Sequence, residues 1–156
     1  MFRYVILPLG VMALIACSPS ERKASISRSA VAHDDAILIW ARKQHGDSAH
    51  AQTFFGDFTG DGTDDALAWI LYPSGGNSRF LDVALFRNER DQMTYYRSID
   101  NVFGSGPRNI LFEQGRITLT TTMPNPGDPR CCPTGYQNWV IDRSINSLHT
   151  QASLLK

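Results

Sequence analysis

Apolar positions follow two different periods along this chain, and the change comes at Thr53. In residues 30–45, Ile37, Trp40 and Ala41 stand at i, i+3 and i+4, the spacing of one helical face. Ser29 can cap that helix, Asp34 and Asp35 lie in its early turns, Arg42, Lys43 and His45 lie near its end, and Gly46 supplies the stop. From Thr53 onward the signals are strands and turns. Residues 66–72, ALAWILY, form a continuous apolar run of strand length, which predicts a strand buried on both faces. In residues 80–87, Leu81, Val83 and Leu85 share one face, and Phe80, Ala84 and Phe86 share the other. Further strands are predicted over 93–99, 110–112, 117–122, 136–141 and 145–149, each bounded by turn residues. Tyr95 and Tyr96 fall on opposite faces, one buried and one exposed. The pattern predicts an α+β domain: one N-terminal helix packed on a mainly antiparallel β-sheet of about five to seven strands. No segment recurs along the chain, which argues against a propeller or solenoid.

Ahead of this domain the pattern is different. Arg3 precedes an uncharged, largely apolar run from residue 4 to residue 16. As a helix that run would reach about 20 Å, short of the ~30 Å hydrocarbon core. It therefore reads as a signal segment, with an uncleaved anchor helix as the alternative. Leu14-Ile15-Ala16-Cys17 resembles the lipobox of bacterial lipoproteins. The resemblance implies a diacylglyceryl thioether on Cys17, cleavage before it, and a mature chain held on a membrane by its lipid. Several acyl chains would make that anchoring stable. In a Gram-negative host, Ser18 after the lipidated cysteine implies a periplasm-facing protein on the outer membrane. Residues 17–29, small and polar without periodicity, are expected to form a flexible tether, leaving 30–156 as one globular domain.

Charge removes one class of partner. The chain carries 15 basic and 15 acidic residues, and only Arg3 among the basic ones lies in the leader. A mature chain with one acid in excess and no basic cluster is a poor binder of nucleic acid.

Chemistry concentrates first in residues 56–65, GDFTGDGTDD, just before the apolar run. Side-chain oxygens stand at alternating positions on Asp57, Thr59 and Asp61, with Asp65 closing the loop, and Thr63 can offer its carbonyl. Gly62 permits the sharp reversal. Calcium takes six to eight hard oxygens, and a dication relieves the repulsion among crowded carboxylates. The segment resembles the calcium loops of FG-GAP repeats, dockerins and EF-hands. That resemblance implies Ca2+ held by Asp57, Thr59, Asp61, Thr63 and Asp65. Thr59 stands where those families carry Asp or Asn, and Ala68 stands where an EF-hand has its bidentate Glu. Affinity is therefore expected toward the weak extracellular end, about 10⁻⁴–10⁻³ M. Two other readings stand beside calcium: an Asx-turn hairpin whose carboxylates bond local amides, and an acid/base pair.

The second concentration is residues 123–135, MPNPGDPRCCPTG, where four prolines exclude a helix or a central strand and stiffen a long loop. Cys131 and Cys132 are adjacent, and with Cys17 lipidated they have no other cysteine to pair with. A vicinal disulfide, strained because neighbouring Cα atoms lie about 3.8 Å apart, is one state. Free or intermolecularly paired thiols are another, and a redox or soft-metal site a third. Residues 127–135 resemble a segment of small uncharacterised bacterial cell-envelope lipoproteins, which implies an envelope protein and names no reaction.

Other signals are bland. His33, His45, His50 and His149 form no HExxH or H-x-H pair and read as surface or locally bonded imidazoles. Trp40, Trp69 and Trp139 read as core, with a ligand-stacking role for Trp139 as the alternative. The resulting expectation is a non-enzymatic, lipid-anchored envelope protein of binding or structural type, with an envelope protein as its candidate partner. The rival expectations are an envelope enzyme, either a hydrolase or a thiol–disulfide protein using Cys131 and Cys132, and an inhibitor or accessory subunit.

Overall fold

Small and large apolar residues alternate on the central strands, and that alternation decides what packs on each face. The computed structural model describes residues 19–142 and 150–154, with side chains from Ala30 to Asp142. The leader, Cys17, the strand expected at 145–149 and His149 lie outside the described residues. The elements are α1 (Pro19–His45), β1 (His50–Gly56), β2 (Asp65–Pro73), β3 (Arg79–Asn88), β4 (Met93–Asp100), β5 (Ser105–Glu113), β6 (Arg116–Met123), β7 (Gly135–Asp142) and β8 (Thr150–Leu154). This is the α+β arrangement the pattern predicts, with one helix and eight described strands.

The strands run in the order β1-β2-β3-β4-β8-β7-β6-β5. Two antiparallel meanders, β1 to β4 and β5 to β7, are joined by β8. It pairs in parallel with β4 and antiparallel with β7. On β2, Leu67 and Trp69 point to the inside of the curled sheet, where Val83, Leu85, Ile117, Leu119, Trp139 and Ile141 meet them. Ala66, Ala68 and Ile70 point the other way, toward the helix, with Ala84 and Phe86 of β3. Residues 66–70 are thus buried on both faces, as their unbroken apolarity predicts.

Helix α1 lays Ile37 and Ala41, both fully buried, on that alanine-lined face, with Trp40 half-buried beside them. It ends where expected: Gly46 takes φ +92° and its N–H bonds the Arg42 carbonyl at 2.8 Å, closing the last turn. Its start differs from expectation. The helix begins at Pro19, so residues 19–29, expected to be a tether, are helical and Ser29 is no cap. Proline needs no N–H at the first helical position, and Glu21, Arg22, Lys23 and Ala24 all propagate a helix readily. Among the described residues, no helix is long and apolar enough to cross a membrane.

Tyr96 and Tyr95 divide as predicted. Tyr96 packs against the inner core, while Tyr95 lies outside, stacked on Trp40 with ring centroids 4.6 Å apart. A register shift between Leu85 and Phe86 opposite β4 leaves Tyr96 in a bulge.

Candidate functional site

The β1–β2 loop is built by its own carboxylates. Asp57 accepts the N–H groups of Gly60 (2.6 Å) and Asp61 (3.2 Å) on Oδ1 and that of Gly62 (2.9 Å) on Oδ2. Asp61 Oδ1 accepts the Thr63 N–H at 2.8 Å and the Thr63 hydroxyl at 2.5 Å. These bonds, the Thr63 hydroxyl first, hold the Asp61 carboxyl below the usual aspartate range, and the Arg87 guanidinium adds a small share. Asp65 is buried. Its Oδ2 accepts Phe58 N–H (3.1 Å) and Thr59 N–H (2.8 Å), and its Oδ1 accepts Asn88 N–H (3.1 Å). Gly60 and Gly62, at φ +80° and +86°, allow the reversal around Asp57.

The carboxylates of this turn thus bond local amides in the manner of Asx turns. Asp57 and Asp61 bond amides within the turn, Thr59 Oγ1 is buried beneath it, and Asp65 fastens the turn to β3 through the Asn88 amide. Among the described residues no three His, Cys, Asp or Glu side chains form a metal-ligating group. Carboxylates bonded to one or two amides retain lone pairs. The oxygens that suit a hard cation are thus those of Asp57, Asp61, Thr59 and the Thr63 carbonyl, with Asp65 behind them.

Next to this loop lies a cavity of about 290 Å³ that no local motif announces. His33, Phe55, Asp64 and Asp91 line it. His33 is buried on α1, and its Nε2 sits 3.2 Å from the Asp91 carbonyl and 3.3 Å from Asp91 Oδ1. Both partners are acceptors, so Nε2 carries the proton. This corrects the reading of His33 as a surface or locally bonded imidazole: its partner is 58 residues away. The signal was available, because His33 stands four residues before Ile37 on the same helical stripe. Asp91 reaches it from a two-residue β3–β4 turn in which Arg90 and Asp91 take φ 57° and 66°. For residues with a Cβ such left-handed positions cost about 1–2 kcal/mol each. A second histidine, His45, pairs with Asp82 at 2.9 Å and stacks on Tyr72 with centroids 4.2 Å apart.

The proline-rich β6–β7 loop is held by Asp128. Its Oδ2 accepts Asn125 N–H (2.8 Å) and Thr134 N–H (2.7 Å), and both its oxygens accept the Thr134 hydroxyl. The Thr134 amide, followed by that of Asn125, keeps the Asp128 carboxyl below its ordinary range. Cys132 N–H bonds the Pro129 carbonyl at 3.0 Å, which turns the two cysteines to the surface. Their sulfurs are thiols 2.8 Å apart, with Cys132 donating to Cys131. That bond favours the protonated form and pushes the Cys132 thiol up. Trp139 is core: it is buried, and its Nε1–H bonds Thr121 Oγ1 at 2.9 Å.

Strand directions put these loops apart. The β1–β2, β3–β4 and β5–β6 connections share one end of the sheet, and the β2–β3 and β6–β7 connections share the other. The acidic loop and the cysteine loop consequently form no common cleft. The chain matches no protein-family model, no curated protein and no solved structure.

Proposed function

We propose that the chain is a lipid-anchored cell-envelope protein, a binding or structural module held to a membrane through acylated Cys17. The observation that carries this reading is Leu14-Ile15-Ala16-Cys17 at the end of a short apolar run that follows Arg3. In a Gram-negative host, Ser18 favours the outer membrane. The domain presents two fixed loops at opposite ends. The Asp57–Thr63 turn takes up Ca2+ through Asp57, Thr59, Asp61 and the Thr63 carbonyl. Bound calcium would add to the hydrogen bonds that already order the turn, so its role is to stabilise rather than to switch. The Pro124–Thr134 loop, braced by Asp128, serves as a rigid face for an envelope protein partner.

One preparation tests both halves. In cells supplied with labelled fatty acid, the wild-type chain should carry label and sediment with membranes, and Cys17→Ser should lose the label. In detergent, the purified chain should gain thermal stability in millimolar calcium following RT ln(1 + [L]/Kd), and Asp61→Ala should lose that gain. An unlabelled wild-type chain removes the anchor. A calcium response that survives Asp61→Ala removes the ion site.

A further inference from the structure

We infer that the cavity between the start of α1 and the β3–β4 turn is a binding site for a small organic cation, an ammonium or guanidinium group on a short apolar stem. Every carboxylate of the neighbouring loop except one is committed to protein donors. Asp57, Asp61 and Asp65 accept amides, as described above. Asp64, at the cavity rim, has no hydrogen bond or ion pair among the described residues, and it is exposed. Across the opening stands Asp91, whose side chain is 77% exposed while Oδ1 meets His33. A left-handed turn with no glycine in it holds Asp91 there.

Two carboxylates line this space, Asp91 already bonded to His33 and Asp64 not, and the charge of Asp64 calls for a donor with positive charge. The floor is different in kind. Phe55 and His33 set their rings 6.2 Å apart at 44°, and Ala30 adds a methyl. An aromatic face below two carboxylates suits a cation with a hydrocarbon stem better than a bare metal ion, because the rings attract the charge and cover the stem. A volume of about 290 Å³, at the lower end of ligand pockets, limits the ligand to a small molecule. Arg90 points its chemistry elsewhere, lining a separate groove with Glu89, Gln92 and Thr94. The two carboxylates of this site, Asp64 and Asp91, lie outside the proposed ion set, although Thr63 lines the cavity and also belongs to the calcium turn.

The test uses the full chain in detergent, with n-butylammonium as probe and n-butanol as its uncharged counterpart. Side-chain NMR signals of His33 and Phe55 should shift saturably with the ammonium and much less with the alcohol. Asp64→Asn, which breaks no bond of the fold, should weaken ammonium binding about tenfold, the effect of one charge-assisted hydrogen bond. Asp47→Asn, exposed just past the far end of α1, should leave it unchanged. Equal binding of butanol would overturn the inference, as would wild-type affinity in Asp64→Asn or the absence of a saturable shift at millimolar probe.

Discussion

Asp64 and Asp65 are neighbours with the same side chain and opposite circumstances. Asp64 ends the exposed turn and touches no donor among the described residues, whereas Asp65 is buried and gathers three backbone amides, two from the β1–β2 turn and one from the end of β3. A carboxylate satisfies donors on both oxygens, but an asparagine has one oxygen and one NH2 group, so one side must present a donor to a donor. Each buried amide left unpaired costs about 1–3 kcal/mol. Asp65→Asn should therefore destabilise the fold by about 3 kcal/mol in urea denaturation, while Asp64→Asn should stay within about 0.5 kcal/mol of wild type. Equal midpoints for the two variants would show that the Asp65 amides find water instead. The contrast also explains why five oxygen-bearing positions do not make five equivalent ligands: the amides of Phe58, Thr59 and Asn88 claim the last of them.

At the level of elements, what the sequence discloses depends on whether a signal is local. The run of residues 66–72 announces a doubly buried strand, and the size alternation within it, Ala66 and Ala68 against Leu67 and Trp69, marks the helix-covered side. The first stretch of α1 was not legible because residues 19–29 carry no apolar stripe. Good helix formers there extend a helix whose packed half, around Ile37 and Ala41, has already met the cost of nucleation. The acidic turn was legible because its residues are contiguous. The cavity was not, since it joins His33 of the helix to Asp91 of a distant hairpin, and no window of sequence contains both. The close seating of α1 on alanines gives a sharp test. Ala68 is fully buried under the helix, so Ala68→Leu inserts a branched side chain where the helix has no room. It should cost about 1–3 kcal/mol, seen as a lower melting midpoint, although it makes the strand more hydrophobic. A higher midpoint would mean that the helix rests on the sheet loosely.

For the whole molecule, the question is what closes the curled sheet. β1 and β5 are the two edges of the strand order, yet one core fills the space between the meanders. The seam between them is a packing contact at Gly56, where a Cβ would lie 2.4 Å from Phe112 Cγ and 2.7 Å from Phe112 Cβ. Just beyond it, the Gly115 N–H bonds the Phe58 carbonyl at 2.8 Å, tying the β5–β6 turn to the acidic loop. The acidic loop thus depends on closure as well as on its own carboxylates. Gly56→Ala must push Phe112 and the end of β5 outward. Overpacking of this kind costs about 1–3 kcal/mol, and here it should also loosen the Gly115–Phe58 bond. Gly76→Ala is the matched control, because nothing lies within 4 Å of its added methyl. The expected result is a lower melting midpoint and faster amide exchange at Gly115 in Gly56→Ala, with Gly76→Ala close to wild type. If Gly115 exchange is unchanged while stability falls, the seam and the acidic loop are independent, and closure of the sheet does not govern the order of the turn proposed to hold calcium.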